Sequence, residues 1–588
     1  MNTPGVAAPG SLEHWHSIVD HWSEREPEAA FVAELRHLLA TGDVQRLDEY
    51  LGHPLEFGTA GLRGPVGWGS GCMNEAMVTR VTWALGQFLR SRAESAVESS
   101  RLRVVVGFDA RPDSARFASV CAEILSGLGL VVSLSEAPVP TPLVAYLVRA
   151  LHAQAGVVVT ASHNPRGDNG FKVYDDQGVQ IISPWDSGIA QLMNEMPTLR
   201  ALERHALYVE SISREHEEAY LTQLQATAYA TVPQLCDGKW RVAYTPLHGV
   251  GCSWVERSFK QSLPQVELCL VGEQAQPDGA FPTTPFPNPE ESGTLDRLLR
   301  VAAEHDCDVA LANDPDADRL AVCLREEKGG FFPISGDALG LLFADACLKS
   351  TSHPAPVLVS TIVSSPALDA LAERRGAVVE RTLTGFKWIC RAALQAPQFV
   401  FAYEEALGYC FAPARGQTGV MDKDGLCAAT VLGRMLAAAG SGAALLEQLL
   451  GLYAELGLFG SFGASLRLDR GPAPLAQMGQ LLQHLRSQGP RLEADWSITH
   501  YEDFMLDAER RPSYLGQQDL LRFDLTRRAV GSFEPRAARV LVRPSGTEPK
   551  LKLYVHLQSD WDDGLGYSSQ LARLQTYVAG LRDAFFKL

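Results

Sequence analysis

The chain has 588 residues, too many for one hydrophobic core, so about three to five domains are expected. Apolar residues are 46% and charged residues 21% of the chain, as in a soluble globular protein. A net charge of -17 argues against nucleic-acid and anionic-membrane partners, but not against a phosphorylated substrate in a locally basic cleft. The N-terminus carries His14, Trp15 and His16 among acidic residues and lacks the basic start and apolar core of a signal peptide. Residues 1–50 are expected to be a helical extension, with Leu35, Leu38, Leu39, Leu47 and Leu51 recurring among charges. A glycine-rich loop from Phe57 to Gly64 follows and carries one arginine, Arg63; alone it fits a flexible surface loop equally well.

From Arg103 onward strands and helices alternate. Val104–Phe108 reads as a strand, Phe117–Leu128 as a helix and Val131–Leu134 as a strand. The run Ala155–Val159 reads as a buried strand of parallel type. The rhythm returns at Arg241–Tyr244, Asp308–Ala312, Val357–Ser360 and Phe399–Ala402, which predicts parallel sheets covered on both faces. The charged stretch from about 195 to 236 is expected to be a helical link, and Ser350 to Pro356 a second boundary. Near 455–470 the pattern changes to a smaller α+β unit. No apolar run is long enough to span a bilayer. The 11 cysteines are odd in number and form no C-x-x-C pair, which fits free thiols in a reducing cytoplasm.

Four segments carry chemistry. Thr160-Ala161-Ser162-His163-Asn164-Pro165 follows an apolar strand, and a serine there sits at the mouth of an open α/β sheet, where ligands bind. His163 can hydrogen-bond a group carried on the serine oxygen, and Asn164-Pro165 breaks regular structure; an ordinary turn is the alternative. Asn313-Asp314-Pro315-Asp316-Ala317-Asp318-Arg319 also follows a strand. Its carboxylates at i, i+2 and i+4 project to one side, and all-oxygen ligation without Cys or His points to a hard cation, Mg²⁺ first. A solvated acidic turn is the alternative there. The missing position-6 glycine and position-12 glutamate argue against an EF-hand. A phosphatase of the haloacid-dehalogenase type would place a small residue and then Thr or Val after the second aspartate, not Asp318-Arg319-Leu320. Tyr403-Glu404-Glu405-Ala406 ends a further strand and suits acceptance of sugar hydroxyls, although glutamates also favour a helix N-terminus. Arg543-Pro544-Ser545-Gly546-Thr547-Glu548-Pro549-Lys550 lies between strands at 539–542 and 551–556. Arginine and hydroxyls around a glycine make an oxyanion cradle.

In this order the segments resemble the α-D-phosphohexomutase superfamily of phosphoglucomutases and phosphomannomutases, from about Phe57 to Tyr554. The resemblance implies an α/β chain of four domains around a central cleft. Three are mixed α/β sheet domains of related topology, at 51–235, 236–350 and 351–460; a C-terminal α+β domain follows at 461–588, with 1–50 as the extension. It implies that Ser162 carries a phosphoryl group with His163 beside it, and that Asp314, Asp316, Asp318 and the serine oxygen hold one Mg²⁺ per chain. Arg319 corresponds to a contact on the phosphoserine side, and Lys172 and Arg63 to the general acid/base candidates. Thr384, Gly385 and Lys387 correspond to a sugar-recognition loop, Glu404 to a sugar-hydroxyl ligand, and Arg543, Ser545, Gly546 and Thr547 to a clamp on the distal phosphate.

The implied reaction is a reversible phosphoryl shift on an aldose phosphate, glucose 1-phosphate to glucose 6-phosphate, through a bisphosphate intermediate. Glucose 1,6-bisphosphate or a similar compound is the expected activator. A cytoplasmic monomer or small homo-oligomer with a sugar-phosphate substrate is expected, without nucleic acid or membrane. Ala406 replaces the family's usual serine. The Tyr403–Gly408 form and Asp422-Lys423-Asp424-Gly425 resemble the branch of phosphopentomutases and glucose-1,6-bisphosphate synthases, so pentose phosphates stay open as substrates. Lys172 as a base needs a lowered pKa, which like-charge repulsion from Arg63 would supply. His163 could simply order its loop, His248 is expected to order a turn, and Lys387 could be a solvated surface lysine. An aspartate-nucleophile phosphatase and a non-catalytic sugar-phosphate-binding protein are the readings from other classes.

Overall fold

The computed structural model describes residues 12–58, 61–93, 101–326, 330–467, 474–528, 531, 533–544 and 550–586. Four sheets follow one another along the chain. The first contains β1 (Leu62–Pro65), β2 (Arg103–Phe108), β3 (Val131–Leu134), β4 (Ala155–Val159), β5 (Asp168–Tyr174) and β6 (Val209–Ser211), in the order β1-β5-β4-β2-β3-β6. The second contains β7 (Trp240–Thr245), β8 (Val266–Leu270), β9 (Val309–Asn313), β10 (Leu320–Arg325) and β11 (Phe331–Pro333), in the order β11-β10-β9-β7-β8. The third contains β12 (Val357–Thr361), β13 (Val378–Thr382), β14 (Phe399–Glu404) and β15 (Gly408–Phe411), in the order β13-β12-β14-β15. The last contains β16 (Leu458–Arg467), β17 (Trp496–Asp503), β18 (Leu521–Arg527), β19 (Ala537–Pro544) and β20 (Lys550–Ser559), all antiparallel.

The first three sheets repeat one plan, as the mixed α/β expectation required. A central strand (β2, β7, β12) has the next strand parallel on one side (β3, β8, β13) and the one after that parallel on the other (β4, β9, β14). A fourth strand (β5, β10, β15) then runs antiparallel outside the third. The central strands are rich in Val, Ala and other small or branched residues and buried on both faces, because the crossover helices cover both sides. One consequence places the chemistry. The connection from third to fourth strand is the same structural position in each unit, and the three such connections hold Ser162, the three aspartates, and Glu405 with Ala406. Each contains one non-glycine residue in the left-handed region: Ser162 at φ 51°, Ala317 at 56° and Leu407 at 64°. Such residues cost about 1–3 kcal/mol each and persist only where the surroundings over-determine them.

Two sequence expectations change. The stretch from 195 to 213 is not helical: it holds a short 3₁₀ turn at Leu199–Ala201 and then β6, which pairs parallel with β3. The open backbone edge of β3 overrides the local charge pattern there. The helix proper, Arg214–Thr231, packs against helices Cys252–Ser262 and Gly425–Ala439. The N-terminal helices, Leu12–Ser23, Ala29–Thr41 and Val44–Leu51, enclose their own core of Trp15, Val19, Trp22, Phe31, Leu35 and Leu47. Phe31 stacks on Trp68 at 5.2 Å, which docks this extension onto the segment just after β1. Among the described residues no single helix is long and apolar enough to cross a membrane.

Candidate active site

The three equivalent connections meet. Ser162 is 1% exposed, and its Oγ donates to Asp314 Oδ2 at 2.8 Å and lies 3.1 Å from His163 Nδ1. Burial pushes the His163 imidazole down to about 2, helped by the nearby Arg319 and Arg63 charges, so the ring is neutral. Asp314, Asp316 and Asp318 each offer one oxygen within 4.8 Å of the others, and all three are buried. Their ionisations are split. Burial and repulsion from Asp318 and Asp316 hold Asp314 well above the usual carboxylate range. Burial is outweighed at Asp316 by Lys172, and at Asp318 by Lys172, Lys423 and Arg319, so both stay low.

Lys172, on β5, is 1% exposed and donates to Asp316 Oδ2 at 2.6 Å and Asp318 Oδ2 at 2.9 Å. Burial depresses its ammonium, but the two carboxylates more than reverse that, and its pKa is raised. This corrects the expectation of a lysine lowered by Arg63: the two opposite charges outweigh the like one. Arg63, on β1 opposite Gly170, is lowered by burial. Arg319 N donates to Asp314 Oδ1 at 3.0 Å and its Nη1 to Ala406 O at 2.9 Å, which staples the second connection to the third.

Four buried polar atoms here have no hydrogen-bond partner among the described residues, Arg63 Nε, Arg319 Nε, Asp316 Oδ1 and Asp318 Oδ1, although Arg319 Nε and Asp318 Oδ1 face each other at 3.8 Å. Buried polar groups are almost always satisfied, so orphans clustered beside the three aspartates leave donors and acceptors open to a bound group. The two carboxylate oxygens fit a cation, and the two guanidinium nitrogens fit an oxyanion beside it.

Of the two vicinal glutamates, Glu405 is spoken for: its Oε2 accepts from Thr361 Oγ1 at 3.0 Å and Ser364 Oγ at 2.8 Å. Glu404 is raised by burial, partly offset by Lys423 and Arg319, and no hydrogen bond among the described residues ties its carboxylate down. Gly385 caps the helix Phe386–Gln395, so Lys387 sits in a first helical turn rather than on a loop. Its Nζ reaches Gly58 O at 3.4 Å, joining the third unit to the loop before β1, and burial lowers its pKa. Thr384 Oγ1 is another buried atom without a partner. Arg543 lies near the end of β19, opposite Lys552. Ser545, Gly546 and Thr547 fall outside the described residues, as do Thr59 and Ala60 of the Arg63 loop. His248, at φ 61°, bonds Thr283 Oγ1 at 2.9 Å through Nε2 and orders the turn against Pro315.

The structure adds contacts around the aspartates that the sequence does not show. Thr141 Oγ1 donates to Asp316 Oδ2 at 2.6 Å. Lys423 Nζ lies 3.4 Å from Asp318 Oδ2 and is held in place by its neighbours: Asp422 accepts from Tyr174 Oη at 2.7 Å, and Asp424 from Tyr220 Oη at 3.0 Å. Asp109 accepts from Thr160 Oγ1 at 2.6 Å, and Arg111 donates to Ser162 O at 2.8 Å. Of these, Asp109-Ala110-Arg111 carried a local signal, a charged pair directly after a strand, and Lys423 lay in the Asp422–Gly425 motif.

The phosphoglucomutase/phosphomannomutase family matches the chain in four pieces: alpha/beta/alpha domain I at 54–199, domain II at 218–329, domain III at 335–453 and the C-terminal domain at 531–562. A Haemophilus influenzae protein named "Probable phosphomannomutase" is 35% identical over 82% of this chain and 92% of its own. The Homo sapiens phosphopentomutase is 31% identical over 96% of this chain and 95% of its own. The solved open form of the Paramecium phosphoglucomutase pp63/parafusin, 17% identical, has the same fold at a TM-score of 0.67, covering 90% of this chain and 94% of that one. With four sheets in the matching order and the serine connection in contact with the aspartate connection, the chain belongs to the α-D-phosphohexomutase superfamily and is a phosphosugar mutase, an isomerase of carbohydrate metabolism.

Proposed function

We propose that the chain interconverts glucose 1-phosphate and glucose 6-phosphate, with Ser162 as the phosphoryl carrier. The observation that carries this reading is the 2.8 Å bond from Ser162 Oγ to Asp314, inside an aspartate cluster that keeps two buried oxygens free. Phosphoryl transfer needs placement and charge stabilisation more than a strong nucleophile. Asp314, Asp316, Asp318 and the serine oxygen would hold one Mg²⁺, which when bound offsets charge on the transferring group. Arg63 and Arg319 direct their free Nε donors at the phosphoryl oxygens. Lys172, kept as an ammonium by its two aspartates, is the proton-holding group of the site. His163, neutral, bonds the serine oxygen through Nδ1, and the ring tautomer sets which of the two donates. Glu404 takes the sugar hydroxyls, with Thr384, Gly385 and Lys387 alongside. Arg543, with Ser545, Gly546 and Thr547, clamps the distal phosphate and accepts either end of a 1,6-bisphosphate, the compound expected to prime the enzyme.

A pentose phosphate is the second reading. It is supported by Ala406, which removes a hydroxyl from the sugar loop, and by the end-to-end similarity to the human phosphopentomutase. One experiment separates the readings: conversion of α-glucose 1-phosphate and of ribose 1-phosphate, with Mg²⁺ and trace bisphosphate, by wild type and Ser162→Ala. Isomerisation by wild type and its near-complete loss in the variant is the expected result, and the faster sugar names the substrate. Release of inorganic phosphate alone, or full activity in the variant, would overturn the phosphoserine mechanism.

A further inference from the structure

Arg111 is a heavily committed cation outside the aspartate cluster. Its side chain is 0% exposed, and its Nε lies 3.2 Å from Asp109 Oδ2. Nη1 donates to Pro165 O and Asp168 O, both at 2.8 Å, and Nη2 donates to Ser162 O at 2.8 Å and Asn164 O at 2.7 Å. All four Nη protons are therefore spent on carbonyls of one connection, the one that holds Ser162. Asp109 completes the frame from the other side. It accepts from Thr160 Oγ1 at 2.6 Å, and Thr160 Oγ1 accepts from Ser162 N at 2.8 Å. One buried ion pair thus governs both the N–H and the C=O of a serine at φ 51°.

The second unit closes over this frame. The ring of Phe281 lies 5.1 Å from the Arg111 guanidinium carbon, and Phe281 is itself buried at φ 46°. A Cβ on Gly279 would stand 2.3 Å from Ala110 O and 2.5 Å from Arg111 Cα, so the two backbones touch without a side chain between them. The same second unit carries Asp314, which accepts the Ser162 hydroxyl.

We propose that Arg111 is a positioning residue for phosphoryl transfer: it shapes the Ser162 connection and, through Phe281, ties that shape to the unit that carries the three aspartates. This rests on Ser162 being the phosphoryl carrier. The bond from Ser162 to Asp314 crosses between two sheets, as do those from Thr141 and Lys172 to Asp316, and the Arg111–Phe281 contact adds a link at the Ser162 connection itself. A planar guanidinium can cap four carbonyls and present a face to an aromatic ring at once. A lysine ammonium has three donors on one nitrogen, too few for the four carbonyls and the ring together.

The test uses the full-length wild type, Arg111→Lys, Arg111→Ala, Phe281→Leu and Ser162→Ala. Three quantities are measured: kcat and KM for the sugar monophosphate, phosphate on Ser162 by mass spectrometry after incubation with glucose 1,6-bisphosphate, and the urea unfolding midpoint. Arg111→Lys should lose on the order of 10²-fold in kcat with KM within about threefold, because a misplacement near 1 Å has that effect. Phe281→Leu should lose less, and millimolar guanidinium should restore part of the Arg111→Ala rate. The proposal is overturned if Arg111→Lys keeps kcat within threefold, if KM rises while kcat holds, or if the loss only tracks the fraction unfolded. An Arg111→Lys chain that does not fold also overturns it, since Arg111 is then part of the scaffold in general. If Ser162 takes up no phosphate in wild type, or Ser162→Ala stays active, the carrier reading fails instead.

Discussion

Gly249→Ala tests the spacing of the aspartate connection without touching a charged group. Gly249 lies in the turn after β7, and a Cβ there would stand 2.3 Å from Pro315 Cα and 2.4 Å from Pro315 O, where ordinary contact begins at 3.4 Å. The backbone at Gly249 is not left-handed, so alanine brings no dihedral strain and the close approach is the whole perturbation. The turn cannot easily retreat. Gly249 N donates to Pro246 O at 2.7 Å, Val250 N to Pro315 O at 2.9 Å and His248 N to Gln274 O at 3.0 Å. Pro315 must therefore shift by about an ångström and carry Asp314 and Asp316 with it. Overpacking of this kind costs about 1–3 kcal/mol of stability. A shift of about 1 Å in a reacting constellation costs about 10²-fold in rate. The assay is kcat together with the Mg²⁺ concentration for half-maximal activity, with urea unfolding as the control. We expect kcat to fall by about 10²-fold and the Mg²⁺ requirement to rise at least about tenfold, equivalent to about 1.4 kcal/mol. If both stay within threefold of wild type, or the loss equals the unfolded fraction, the reasoning about this spacing is wrong.

Other outcomes follow from the buried charges. Lys172→Met leaves Asp316 without an ammonium and Asp318 with Lys423 alone, and losing one partner of a buried pair costs about 3–5 kcal/mol. That loss should appear in urea unfolding with EDTA, and Mg²⁺ should stabilise the variant more than wild type; an equal Mg²⁺ gain in both would refute it. His163 is held at about 2 in the fold but takes a proton near its ordinary 6.5 when unfolded. The unfolded chain binds more protons below pH 6.5, so His163 makes stability fall as pH drops, by about 1.4 kcal/mol per unit. His163→Asn should flatten the stability profile between pH 5 and 6.5 relative to wild type; parallel profiles would show an ordinary histidine. Cys236 is the one exposed cysteine, Cys72 is half-buried and the rest are buried. A thiol reagent on the native enzyme should therefore modify one thiol fast, and Cys236→Ser should abolish that phase.

The reactive loops were legible because their signals are local. Ser162, the three aspartates and the glutamate pair each follow an apolar run with turn residues behind it, and covalent neighbours alone place them at strand ends. The choice between Glu404 and Glu405 was not legible as geometry, because it turns on Thr361 and Ser364, which occupy Glu405 from another strand end. The charged stretch before 214 misled, because an open strand edge recruited β6 against its local pattern.

Chain order by itself determined four units, the position of each loop and the donor types available for a cation and a phosphate. The tertiary structure decided how those groups ionise and what holds them. Lys172 meets Asp316 across 144 residues, Thr141 meets Asp316 across 175 and Tyr174 meets Asp422 across 248. A pKa and a fixed rotamer depend on charges and donors within a few ångströms, and folding alone selects which distant residues those are.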